Sequence, residues 1–164
     1  SVTSIGVMAF SNCESLASVT IGNSVTSIGH RAFSDCDSLA SVTIGNSVTS
    51  IGLMAFSHCD SLESIEIPNS VTSIDRYAFE NCFSLTSITI GNSVTSIDYQ
   101  AFDGCLSLEK ITFRGNIPSF PYENITNLTT VVVEHGATTI GKLNGCTSLT
   151  SVSFPELTTI SGNE

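Results

Sequence analysis

A period of 23 residues constrains this chain more than any other feature. Segments 1–23 and 24–46 agree at most positions, and further copies begin at Ser47, Ser70 and Ser93. Self-similarity at a period of roughly 20 to 50 residues is typical of solenoid proteins, in which each repeat buries its apolar side chains by stacking on its neighbours. The period therefore predicts one continuous, stacked domain rather than a conventional globular core.

A column of leucines shows how far the repeats continue. It comprises Leu16, Leu39, Leu62, Leu85, Leu108, Leu128 and Leu149, with the last two steps shortened to 20 and 21 residues. Leu157 and Ile160 then match Val25 and Ile28 of an earlier copy. We therefore predict five regular repeats over residues 1–116, followed over 117–164 by two irregular shortened repeats and the start of an eighth. We interpret the whole as one solenoid and as a fragment of a longer protein.

The pattern inside each copy predicts a mainly β fold. Leu16-x-x-Val19-x-Ile21 matches the strand signature of leucine-rich repeats. Alternation directs Val19 and Ile21 into the core and sends Ser18 and Thr20 to an open face. Stacking seven such segments predicts a leucine-rich-repeat solenoid with a parallel sheet of about seven strands.

The remainder of each repeat predicts the opposite side of the solenoid. Val25 and Ile28 supply a short extended segment there. Cys36 follows Phe33 by three residues and Ala32 by four, a spacing that indicates one helical turn. We therefore expect short turns or single helical turns on this side.

The run SVTSIGxxAFxxCxSLxSVTI resembles the repeat of the BspA-like leucine-rich-repeat surface proteins. The resemblance is close over residues 1–116 and looser over 117–164. It implies a cell-surface or secreted protein of bacteria or some protists. It also implies an adhesin that binds host matrix proteins or other cells.

Charge and composition exclude several functions. Fifteen acidic residues against five basic ones give a net charge of −10, which argues against nucleic acid and anionic membrane surfaces as partners. No apolar run approaches the ~20 residues of a membrane-spanning helix, so we expect no membrane insertion by this segment. His30, His58 and His135 fall in different columns, and no nucleophile–base pair accompanies them. We therefore predict no enzyme activity and no cofactor.

Six cysteines form a second column, and their chemical state has three interpretations. They are Cys13, Cys36, Cys59, Cys82, Cys105 and Cys146, and the sixth repeat carries Ile125 at the same position. A column that accepts isoleucine is apolar, and a free cysteine behaves as a small buried hydrophobic residue. We therefore favour reduced, buried thiols. Disulfides between stacked repeats, whose Cα atoms lie ~5 Å apart, and a metal site are the alternatives.

Two further motifs have both a structural and a functional interpretation. Asp75 and Asp98 replace a glycine column and could share Ca²⁺. We favour instead a turn that aspartate tolerates, with Arg76 relieving the repulsion. Asn124 and Asn127 begin Asn-x-Thr glycosylation patterns, which matter only in a eukaryotic source.

The candidate binding site lies where the copies disagree. The open face is a nearly uniform array of Ser and Thr until the fifth repeat, where it reads Lys110, Thr112 and Arg114. The turns of the fourth and fifth repeats gain large side chains, namely Tyr77, Phe83, Tyr99 and Leu106. Aromatic and arginine side chains are enriched in binding hot spots.

Two features limit this interpretation. Arg114 is placed to pair with Glu134 of the next repeat, which would weaken it as a ligand contact. The large side chains could also pack against the irregular sixth repeat as a structural adaptor.

These observations favour a non-enzymatic protein-binding or adhesion module. The expected partner is a protein, on the host matrix or on another cell surface. The alternative is a structural stalk or self-assembling filament subunit joined end to end. Water ordering by the Ser/Thr rows, as in ice-binding solenoids, is a weaker possibility because Glu66 and Lys110 interrupt the rows.

Overall fold

The computed structural model describes residues 1–118, 125–134, 136–138, 143 and 145–154. These residues form twelve short β-strands, and every pairing between them is parallel. Within this part of the chain no helix is long and apolar enough to cross a membrane. The predicted mainly β solenoid is confirmed.

Each repeat contributes one strand to the open face, giving seven in the described residues. They are β2 (Ser18–Thr20), β4 (Ser41–Thr43), β6 (Ser64–Ile67), β8 (Ser87–Ile90), β10 (Lys110–Phe113), β11 (Thr130–Val133) and β12 (Ser151–Ser153). Lys110 aligns with Thr130, and Thr130 aligns with Ser151. The strands therefore stay in register although these two repeats are shorter than 23 residues. The ladder is nevertheless divided into a two-stranded sheet, β2–β4, and a five-stranded sheet that begins at β6.

A second sheet runs along the solenoid from the two-residue segments that follow each turn. It contains β1 (Ser4–Ile5), β3 (Ser27–Ile28), β5 (Ser50–Ile51), β7 (Ser73–Ile74) and β9 (Ser96–Ile97) in sequence order. The threonine before each strand reinforces the stack, because Thr26 Oγ1 donates to the Thr3 carbonyl at 3.0 Å and Thr49 Oγ1 to the Thr26 carbonyl at 3.1 Å. The predicted extended segment is confirmed.

Of the two forms expected on this side, the short turns are confirmed and the single helical turn is wrong for the described residues. Between β3 and β4 the chain makes successive turns, with Arg31 at φ 53° and Asp35 at φ 58°, which a right-handed helix cannot contain. These left-handed residues turn the intervening N–H groups towards the next repeat, where Phe33 N donates to Ala55 O at 2.8 Å. The segment is therefore a third ladder between repeats, and the spacing of its apolar residues imitates that of a helix.

Phenylalanines form the centre of the core. Phe10, Phe33, Phe56, Phe79 and Phe102 stack in one column, with ring centroids 5.2 to 5.6 Å apart and interplanar angles of 4 to 10°. The three central rings are fully buried. Because each ring contacts the one before and the one after, core stability is shared between neighbouring repeats.

The cysteine column is buried from Cys36 to Cys105, as predicted, and its thiols are free. Each of these thiols also donates a hydrogen bond to a phenylalanine carbonyl of the preceding repeat, for example Cys59 Sγ to Phe33 O at 3.3 Å. Burial raises the pKa of the Cys59 thiol, so the proton needed for this bond is retained at neutral pH. The cysteine column therefore supplies hydrogen-bond donors as well as apolar packing. Ile125, in the same column, supplies only apolar packing.

Candidate functional site

The predicted alternation of the open face is confirmed in β6, but in β10 Thr112, which was expected on the open face, is buried, and all three residues of β12 are exposed. In β6 the residues Ile65 and Ile67 are buried, whereas Ser64 and Glu66 are exposed. On β10 Lys110 is exposed and takes the place of the small serines, while Ile111 and Phe113 anchor the strand in the core. The lysine ammonium is thus held on a strand whose position is fixed by buried neighbours.

Arg114 is fixed by two carboxylates rather than presented to solvent. Its Nη1 lies 2.5 Å from Glu66 Oε1, and its Nε lies 3.5 Å from Glu134 Oε2. The predicted pairing with Glu134 is confirmed, but the pairing with Glu66, two repeats away, was not predicted. The side chain can reach so far because its own column carries Gly91 in the intervening repeat. The hydrogen bond to Glu66 raises the pKa of Arg114, so the guanidinium is held in its charged form.

Phe83 and Leu106 form what we call the apolar corner, at the turn that leads into the long strands. Their side chains are 43 % and 59 % exposed, respectively. The sixth repeat does reach Leu106, but the Asn127 side-chain amide donates to its backbone carbonyl. The Leu106 side chain stays exposed, so this contact is made with the backbone and not with the apolar side chain.

The same column is acidic in the earlier repeats, where it carries Glu14, Asp37 and Asp60. Burial and the nearby charge of Asp37 raise the pKa of the Asp60 carboxyl. Its Oδ1 is buried without a hydrogen-bond partner in the described residues. Carboxylates crowded in this way disfavour further negative charge at this corner.

Tyr77 and Tyr99 lie at the other end of the turn segment, just after the short strands. Tyr99 is 46 % exposed, and the Arg76 guanidinium carbon lies 5.0 Å from its ring centroid. Tyr77 is half-buried at φ 58°. The tyrosines and the apolar corner thus occupy opposite ends of one turn segment, and the six predicted residues form separate groups rather than one patch.

Asp75 and Asp98 have local structural partners. Asp75 Oδ1 accepts a hydrogen bond from Arg76 N at 2.8 Å, and Asp98 Oδ1 lies 3.5 Å from Arg76 Nε. The expected relief of repulsion by Arg76 is confirmed for Asp98. Among the described residues no group of three or more potential metal-ligating side chains comes together.

The Asn127 glycosylation pattern is already engaged in hydrogen bonds. The Asn127 amide donates to Leu106 as described, and Thr129 Oγ1 donates to the Glu109 carbonyl at 3.2 Å. The two polar groups of this pattern thus connect repeats. Asn124 lies outside the described residues.

Comparison with known proteins gives a family and a fold. The model of the BspA type leucine-rich repeat region matches residues 1–109 and 52–164, in six copies. A leucine-rich repeat protein of T. pallidum, of known structure, is similar at 29 % identity with a TM-score of 0.75, over 90 % of this chain and 72 % of that one.

Two further solved structures are more distant. A leucine rich cell surface protein from Faecalibacterium prausnitzii shares 24 % identity with a TM-score of 0.40, over 93 % of this chain and 65 % of that one. A leucine-rich repeat protein from Eubacterium ventriosum shares 19 % identity with a TM-score of 0.41, over 93 % and 70 %. No curated protein sequence matches the chain.

Proposed function

Because the chain belongs to the BspA-type leucine-rich repeat family, we propose that it is a non-enzymatic adhesion module of a cell-surface or secreted protein. Its ligand is a protein, on a host matrix or on another cell. The observation that carries the proposal is the exposed apolar corner, which adjoins an open face made mostly of short polar side chains.

Binding energy requires side chains that bury apolar area in the complex. The serines and threonines of the open face offer little, whereas Phe83, Leu106 and Tyr99 are large and exposed. Aromatic side chains are enriched at interfaces and their hot spots. Phe83 and Tyr99 supply exposed aromatic rings, and Lys110 adds an exposed cation on the open face. Arg114 contributes less, since its two ion pairs must be weakened before it can contact a ligand.

The sharpest test truncates both side chains of the apolar corner without adding charge. Phe83→Ala/Leu106→Ala should reduce binding to immobilised collagen, laminin or fibronectin at least tenfold by surface plasmon resonance. Thr43→Ala, on the uniform part of the open face, is the control and should change binding less than twofold. Equal losses for both variants would contradict a localised hot spot, and no binding of the parent chain to this panel or to whole host cells would contradict adhesion.

The other predicted residues are tested separately. Tyr99→Ala should cause a smaller loss than the corner variant, because the ring is partly covered by Arg76. Lys110→Ala should lower affinity more than Arg114→Ala does. The reverse order would show that the two carboxylates present Arg114 to the ligand rather than withhold it. End-to-end self-association stays a prediction that sedimentation velocity of the same samples checks.

A further inference from the structure

A cleft of about 490 Å³ opens on the open face between the second and third repeats. Its walls include Thr20 and Thr43 on one side and Glu66 and Pro68 on the other. It coincides with the place where the ladder of long strands is divided, between β4 and β6. The second sheet continues past this point without interruption, from β3 to β5 to β7. The repeats therefore separate on one face only.

The ladder is open along this whole junction. Before the other long strands a backbone N–H bonds to the preceding repeat, since Ala40 N donates to Ala17 O at 3.0 Å and Thr86 N to Glu63 O at 2.9 Å, whereas within the described residues no such bond joins Glu63 N to Ala40 O. At the far end Pro68 has no N–H and cannot donate to the carbonyl of Ile44. Pro68 therefore contributes to the opening and is not its only cause.

The cleft is rich in hydrogen-bond acceptors. Glu66 has a side chain 62 % exposed, and the threonine hydroxyls and the Ile44 carbonyl add neutral acceptors. None of the described residues that line the cleft is basic. Arg114 binds Glu66 through Oε1, so a ligand would use Oε2. Such a lining complements a cation that carries several donors, and guanidinium fits a carboxylate better than ammonium does.

We propose that this cleft receives an arginine side chain from an extended segment of the protein ligand, a role that rests on the proposed adhesive function. The guanidinium donates to Glu66 Oε2 and to the acceptors along β4. The aliphatic stem packs against Pro68 and Val42 at the rim. The net charge of −10 on the chain favours the approach of such a basic segment.

The proposal is tested with a defined probe, the peptide acetyl-Gly-Arg-Gly-amide, and its citrulline analogue, which has the same shape without the charge. Titrated into the full chain and followed by NMR, the arginine peptide should shift the amides of Thr43, Ile44 and Glu66. The citrulline peptide should bind at least fivefold more weakly. Equal binding of the two peptides, or shifts confined to other repeats, would overturn the proposal.

Two variants separate the cleft from its surroundings. Glu66→Gln should reduce binding of the arginine peptide at least fivefold, while Glu134→Gln should not. The second variant is a matched control, because it removes the other carboxylate partner of Arg114 without altering the cleft lining. Equal effects of the two would overturn the proposal.

If the arginine peptide binds but the chain does not adhere to matrix proteins or cells, the proposed adhesive function is contradicted and the arginine site in the cleft is not. If the chain adheres and Glu66→Gln does not change adhesion, the arginine site is contradicted and the adhesive function is not.

Discussion

Repeats two and three have the same stacked phenylalanine core as repeats four and five. The two regions differ at the corner that leads into the long strands. Phe56 and Phe79 occupy the same stacked column, 5.5 Å apart and nearly parallel. At the corner, Asp60 is followed one repeat later by Phe83. The backbone therefore tolerates a carboxylate and a phenyl ring at the same position, whereas it keeps the inner ring constant.

This difference shows which columns encode the fold and which are available for function. A core side chain is in contact with both neighbouring repeats, so a change in its volume disturbs three repeats at once. The corner side chains Phe83 and Leu106 are 43 % and 59 % exposed, so they can vary at a smaller cost to the fold. The corner is therefore where a ligand contact can be built with little disturbance of the core.

The largest expected effect separates the two kinds of column directly. Phe56→Ala should lower the free energy of unfolding by about 3–5 kcal/mol, because it leaves a cavity between two stacked rings. The matched change Phe83→Ala at the corner should cost less than about 1 kcal/mol. Urea denaturation followed by circular dichroism measures both. Similar losses would mean that the corner belongs to the core.

A smaller effect is expected in the cysteine column. Cys59→Ala removes the thiol that donates to the Phe33 carbonyl and should cost about 1–3 kcal/mol, since a buried acceptor is left unsatisfied. Cys59→Ser retains a donor and should be less destabilising than alanine. If alanine is tolerated as well as serine, the column is merely apolar. The same urea titrations decide between these outcomes.

The buried thiols also predict sensitivity to alkaline pH. Burial raises the pKa of Cys59, and a hydrogen bond with Cys105 together with burial raises that of Cys82. The folded chain therefore keeps protons that the unfolded chain loses above about pH 8.5. The stabilisation is complete below this pH and is lost as pH rises towards the folded pKa values, by up to about 1.4 kcal/mol per pH unit for each thiol.

Urea titrations between pH 7 and pH 10 measure this dependence. Cys59→Ser should reduce the slope above pH 8.5, because one of the raised thiols is gone. A free energy of unfolding that stays constant over this range in the parent chain would contradict the raised pKa values.

The smallest expected effect is on the open face. Arg114→Gly restores the glycine that Gly91 represents one repeat earlier, and it removes both ion pairs. Because the partners are exposed, the cost should be below about 1 kcal/mol and should shrink at high salt. A loss of more than about 2 kcal/mol would show that the cross-strand network is part of the fold.

The buried columns of the fold could be predicted from the sequence, because stacking places equivalent residues of successive repeats in the same environment. The period, the seven long strands and the buried cysteines follow from which residues recur. The turn segment was misjudged because successive turns place Ala32, Phe33 and Cys36 at helical spacing, while the left-handed conformations of Arg31 and Asp35 leave no clear trace in residue type.

The candidate site was less predictable because it depends on contacts between columns. The pairing of Arg114 with Glu134 follows from adjacent repeats, but the pairing with Glu66 requires a side chain to cross a glycine. The cleft depends on a junction at which backbone hydrogen bonds are missing from Glu63 onwards. The sequence contained one signal there, since proline interrupts a column of glycines, but it indicated only the end of a strand.

The central claim is that the apolar corner serves binding and not folding. It is tested most directly by urea denaturation of Phe83→Ala/Leu106→Ala beside the parent chain. We expect the free energy of unfolding to change by less than about 1 kcal/mol, because both side chains are exposed. A loss of more than about 2 kcal/mol would contradict the claim and identify the corner as the structural adaptor for the irregular sixth repeat.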